Sequence, residues 1–197
     1  MSKIKIPLIT IIWMITMVYS YSTVLPFLVL AILIHEFGHW LFAKLFNVKL
    51  KSFELSPLGA RIETAHEISY KEEFFLALGG PLLGFISFAV VLPFAHQSNG
   101  ALMFVVISLC INIFNLLPIS TFDGGRILKC LALSVFSLKI AQKIIAITSF
   151  LTAFSLWLLS VYMLIKIGAG LSMLIFCSIF FAKRFIFNTK NGDFKSF

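Results

Sequence analysis

The 197-residue sequence predicts an all-α membrane protein: six transmembrane helices with one small membrane-associated β-hairpin. Three observations predict it. Hydrophobic residues make up 60% of the chain and charged ones 12%, with a mean hydropathy of +1.03. Soluble domains are nearer half apolar and a quarter charged. Six apolar stretches, at 6–22, 24–46, 73–95, 101–119, 141–165 and 168–185, each approach the ~20 residues that cross a bilayer. The basic residues punctuate these stretches, so the net charge of +8 marks membrane topology and not a nucleic-acid surface.

Taken in order, Lys3 and Lys5 precede the first stretch, and no small-x-small cleavage site follows it. It reads as a retained span. A short link at Tyr21 to Val24 joins it to the second span in a hairpin. Pro26 falls in the first turn of that span, where a missing N–H is tolerated. Residues 47–64 predict a β-hairpin. Val48, Leu50, Phe53 and Leu55 interleave with Lys49, Lys51, Ser52 and Glu54, Pro57-Leu58-Gly59 is turn chemistry, and Ala60, Ile62 and Thr64 form the return. The third span opens at Glu73–Phe74 and contains Gly79-Gly80-Pro81, whose proline predicts a kink. The fourth ends at Pro118, with Ser120 to Gly125 as a loop or turn. Gly168 and Gly170 turn the chain between the last two spans.

With a cytosolic N-terminus, every Lys and Arg except Lys166 falls on the cytosolic side. The connections near 22–24 and 95–100 carry none, so both termini are expected in the cytosol. Cys110, Cys130 and Cys177 lie far apart with no Cys-x-x-Cys, and read as small core residues.

The chemistry lies in the second span. Its apolar run is interrupted by His35-Glu36-Phe37-Gly38-His39. A charge at bilayer depth costs about 2.5–3.5 kcal/mol or more, and a bound metal would offset it. His-x-x-x-His on a helix sets both imidazoles on one face, one turn apart, where one Zn²⁺ can bridge them. Glu36, beside the metal and not bound to it, is placed as general base, taking a proton from the attacking water and passing it to the leaving amine. A catalytic zinc centre needs a third protein ligand. Among the acids only Asp123 closely follows an apolar span, and Gly124-Gly125 beside it let backbone approach a site. Asp123 is therefore assigned as third ligand, with His66 in the polar loop as competitor. His96 sits at the outer mouth of the third span, on the wrong side. Asn112 and Asn115 in the fourth span must find partners in lipid. Helix–helix hydrogen bonding accounts for either. Asn115 is also a candidate donor to the substrate backbone or to the tetrahedral oxyanion. Gly80-x-x-x-Gly84 permits close helix packing.

These motifs resemble the site-2 protease family of intramembrane metalloproteases, peptidase family M50. His35 to His39 matches the family's His-Glu-x-Gly-His, and Asn115 to Gly125 matches its Asn-x-x-Pro-x-x-x-x-Asp-Gly-Gly. The resemblance implies one Zn²⁺ per chain on His35, His39 and Asp123, with Glu36 catalytic. It implies substrate contacts at Asn115, Pro118 and Gly59, and a membrane-embedded or membrane-associated pro-protein as substrate. The chain is similar to the six-span sporulation branch that processes the sigma-K precursor. Ser56-Pro57-Leu58-Gly59-Ala60-Arg61-Ile62-Glu63, Lys71-Glu72-Glu73-Phe74 and Gly80-Pro81 carry that likeness. It is strongest over about residues 24–130, the expected catalytic core, within a single domain 1–197. Two departures stand out: Thr121 where a proline is common, and no C-terminal CBS domain or PDZ insertion. Membrane-protein inhibitors or regulators are then expected as partners. The expected location is the bacterial plasma membrane or a forespore-engulfing membrane. A helical substrate must unwind to be cut, and the 47–64 hairpin edge is expected to receive it as an added strand. A pheromone or bacteriocin precursor is the alternative substrate. A catalytically silent scaffold of the same fold and a metal transporter are the alternative functions.

Overall fold

The computed structural model describes residues 3–5, 23–48, 50–56, 59–64, 68–168 and 178, with the backbone alone for residues 3–5, 50–56, 59–64 and 167. Five α-helices and three strands are assigned among them. Helix α1 spans Leu25–Leu45, with Pro26 in its first turn as the sequence predicts. It ends where Asn47 turns left-handed at φ 54°. Val48 N then donates to Ala43 O at 2.8 Å and Asn47 N to Lys44 O at 3.3 Å. These two bonds are a Schellman stop, satisfying carbonyls the helix would otherwise orphan.

Strands β2 (Leu50–Ser56) and β3 (Gly59–Thr64) pair antiparallel, and the expected turn at residues 57–58 lies outside the described residues. A short β1 (Lys3–Lys5), not anticipated from the sequence, runs parallel to β2, giving the order β1-β2-β3.

Helix α2 spans Tyr70–Val91, beginning three residues before the expected start. The cause is a capping box. Ser69 Oγ accepts from Glu72 N at 3.3 Å, and Glu72 Oε2 accepts from Ser69 N at 2.7 Å. Helical structure continues through Pro81, which is buried. A 3₁₀ turn, Leu92–Phe94, follows. Helix α3 (Asn99–Asn115) stops short of the expected 119. Helix α4 (Asp123–Val135) was not expected as a helix. Helix α5 (Leu138–Ile167) ends at Gly168, left-handed at φ 67°.

Three described helices are long and apolar enough to cross a membrane: Leu25–Leu45, Tyr70–Phe94 and Leu138–Lys166. Helix α3 is a shorter apolar helix. The expected spans 6–22 and 168–185 lie outside the described residues, apart from Gly168 and residue 178. Large side chains such as Leu33, Val90, Val106 and Ile165 stay exposed on these helices, as lipid-facing positions do. Cys130 is buried as expected of a core residue, whereas Cys110 is exposed.

Helix α2 is central, packing against α1, α3 and α4. Glycines set its distance from α1. A Cβ on Gly79 would lie 2.7 Å from Gly38 O, and one on Gly38 would strike Gly79 O. Such close backbone approach is open only to residues without a side chain.

Candidate metal centre

Helix α1 delivers His35 and His39 one turn apart, both 3% exposed, toward α2 and α3. Helix α4 delivers Asp123 from its first residue, 7% exposed. The loop between α3 and α4 makes that possible. Ser120 N donates to Ser149 Oγ at 3.0 Å, Ser149 Oγ donates to Pro118 O at 3.4 Å, and Ile119 is fully buried. Gly124 and Gly125 lie so close beneath the loop that Cβ atoms there would strike Leu116 O and Ile119 O.

His35 Nε2 lies 3.1 Å from Asp123 Oδ2, His39 Nε2 lies 3.2 Å from the same oxygen, and the two Nε2 atoms are 3.3 Å apart. The fit to zinc follows from this triangle. Ligands about 2.0 Å from a tetrahedral zinc are roughly 3.3 Å from one another. The outer nitrogens are committed elsewhere. His39 Nδ1 donates to Leu76 O at 2.7 Å, and His35 Nδ1 faces Asn112 Oδ1 at 3.0 Å. The Asn112 amide is oriented by Ser108, whose carbonyl accepts its NH₂ at 2.7 Å. Its oxygen therefore points at His35, Nδ1 holds the proton, and Nε2 keeps its lone pair for a metal.

Glu36 is not among the three donors. Its Oε2 is shut off from solvent and has no hydrogen-bond partner among the described residues. An orphaned carboxylate oxygen beside such a donor set fits a reacting water better than a packing role. Arg126 adds a cation, bonded to Glu73 Oε1 at 2.8 Å and to Asp123 Oδ1 at 3.4 Å.

His35, His39 and Asp123, all named from the sequence, thus come together. Residue 66 lies outside the described residues, and His96 is exposed near the end of the 3₁₀ turn. Asn115 and Pro118 are partly buried at the start of the loop that leads to Asp123. Three residues to which the sequence reading gave no role at the metal do touch the site. Asn112 orients His35. Gly80 packs against both imidazoles, and Arg126 reaches Asp123. The Asn112 bond yields a direct expectation. Asn112→Ala should weaken zinc binding by about 10–100-fold, measured by competition with a chromophoric chelator. An unchanged affinity would mean the amide does not set the tautomer.

The fold and the donor set describe a membrane protein with three buried side chains, His35, His39 and Asp123, that could hold a metal ion. The sequence matches Peptidase family M50 over residues 23–101 and 95–159, and the chain belongs to that family. It is 32% identical to a zinc metalloprotease of Methanocaldococcus jannaschii over 60% of this chain and 37% of that protein. It is 33% identical to Stage IV sporulation protein FB of Bacillus subtilis over 62% of this chain and 44% of that protein. The matched stretch thus spans less than half the length of either relative. The solved structure of the site-2 protease from Methanocaldococcus jannaschii shares the fold, with a TM-score of 0.65 at 21% identity, over 98% of this chain and 94% of that one.

Proposed function

We propose that this chain is a zinc-dependent intramembrane endopeptidase, cutting a membrane-embedded or membrane-associated protein within or near the bilayer. The observation that carries the reading is the triangle of His35, His39 and Asp123 donors, with Glu36 Oε2 beside it and without a hydrogen-bond partner among the described residues. Zinc held there would supply a Lewis acid that polarises the scissile carbonyl and lowers the pKa of the attacking water to about 7. Glu36 takes the proton of the attacking water and returns it to the leaving amine. The apolar exterior of α1, α2 and α5 keeps the reaction within a low-dielectric surrounding, where that charge movement is most sensitive to placed dipoles.

Asn115 and Pro118 line the loop leading to Asp123 and are assigned to the substrate backbone. Gly59 opens β3, an outer strand in the order β1-β2-β3, and the substrate is assigned to extend the sheet along β3. Prolines placed singly at Ala60, Arg61 and Ile62 should cut cleavage at positions whose N–H faces the incoming strand, with zinc content unchanged. Uniformly normal cleavage would remove the sheet from the mechanism.

Likeness to a sporulation protein favours a membrane-tethered sigma-factor precursor as substrate, in a cell whose cytosol faces both termini. The test is co-expression with such a tagged precursor, then assay of the purified pair in detergent. Cleavage should stop on chelation and return with added zinc. Cleavage that persists after complete metal removal would end the metalloprotease reading.

A further inference from the structure

We propose that Arg126, anchored by Glu73, is a positioning residue that restricts Asp123 to a single ligating oxygen. The inference rests on the metal reading above and concerns the two oxygens of one carboxylate. Oδ2 faces both imidazoles, at 3.1 and 3.2 Å. Oδ1 faces the other way and accepts from Arg126 Nη1 at 3.4 Å. The guanidinium is itself fixed, because its Nε donates to Glu73 Oε1 at 2.8 Å. Glu73 lies in the first turn of α2 and Arg126 in the first turn of α4, so the clasp joins the two helices at the site.

An ion pair on an open surface contributes little, because water and salt screen it and two long side chains must be held still. This one is three-quarters buried, with the Arg126 side chain 24% and the Glu73 side chain 28% exposed, and it ends on a carboxylate 9% exposed. The chemistry supplies its purpose. A catalytic zinc centre takes three protein ligands and leaves a fourth position open. A carboxylate that turned both oxygens inward would occupy that position. A donor locked onto Oδ1 holds it out. Arginine suits the task, since its planar fork reaches Glu73 and Asp123 from separate nitrogens and stays charged at any working pH. Lysine offers one point charge for two acceptors.

The test uses the full chain purified in detergent, as wild type, Arg126→Gln, Arg126→Lys and Glu73→Gln. Zinc affinity is read by competition with a chromophoric chelator. Coordination number is read from the visible spectrum of the Co²⁺-substituted protein, whose bands weaken on passing from four to five ligands. Arg126→Gln should weaken the bands and lower zinc affinity about 10–100-fold. Arg126→Lys should fall between it and wild type, and Glu73→Gln should shift in the same direction by less. A wild-type cobalt spectrum and affinity in Arg126→Gln would overturn the proposal. So would a lowered thermal midpoint with an unchanged spectrum, since that marks a merely structural pair. If Arg126→Gln fails to fold, Arg126→Lys decides by the same two readouts. A wild-type chain that takes up neither metal would instead overturn the metal reading itself.

Discussion

Gly80→Ala is expected to strip the protein of its metal while leaving the helices folded. Gly80 faces the donor set across the α1–α2 contact. A Cβ there would collide with His39 Nε2 and lie 2.7 Å from His35 Nε2. The atoms in its way are two of those that would hold zinc. The histidines cannot retreat without giving up Leu76 O and Asn112 Oδ1. Nor can α1 back away as a body, because Gly38 and Gly79 already meet backbone to backbone beside the site. Overpacking of this kind costs about 1–3 kcal/mol where side chains can adjust, and here adjustment means rotating a ligand. Zinc content should fall from about one per chain toward none. Gly100→Ala is the control. Its Cβ would meet the Phe27 ring at 3.0 Å and Ser98 Oγ at 3.6 Å, and a side-chain end can yield. Full zinc in purified Gly80→Ala would show that the donor set sits differently from the geometry described.

The sequence disclosed the donors and withheld what holds them. His35 and His39 are legible because helical periodicity alone puts them on one face, and their polarity in an apolar run demands a partner. Asp123 is legible because few acids lie near any span. Asn112 is another matter. It and Asn115 sit three residues apart on one helix, so both project toward roughly the same side. Which of them meets His35 depends on how α3 packs into the bundle, where Gly84 of α2 makes room for the Asn112 amide that a Cβ would strike. The functional reading fell on Asn115 for want of that crossing. Helix α4 was hidden by its own first turn. Two glycines cost a helix about 1 kcal/mol each relative to alanine, so Asp123-Gly124-Gly125 reads as a turn. The tertiary reason for them, room under the carbonyls of Leu116 and Ile119, is invisible along the chain. The capping box at Ser69 and Glu72 is different, because Ser-x-x-Glu before an apolar run is a legible start signal. The expectation of a start at Glu73 followed the apolar run instead of this signal, and so fell three residues late.

Glu36→Gln should abolish cleavage and leave zinc in place. The two halves of that expectation come from different atoms. Metal retention follows because zinc would be held by His35 Nε2, His39 Nε2 and Asp123 Oδ2, and the substitution removes none of them. Loss of activity follows because Glu36 Oε2 is buried without a hydrogen-bond partner among the described residues, which leaves it free to exchange a proton. A glutamine amide fills the same volume and cannot accept that proton. General base catalysis of this kind contributes roughly 10²–10⁴-fold, and the fall in cleavage rate should lie in that range or beyond. Glutamine also leaves His35, His39 and Arg126, all within electrostatic reach of Glu36, facing a neutral group. The local field then turns more positive, which would tighten binding of an anionic inhibitor while chemistry stops. Should Glu36→Gln lose zinc, the carboxylate belongs to the metal and the base must be sought elsewhere. Should it hold zinc and still cleave, Glu36 is a packing residue and the proton leaves by another route.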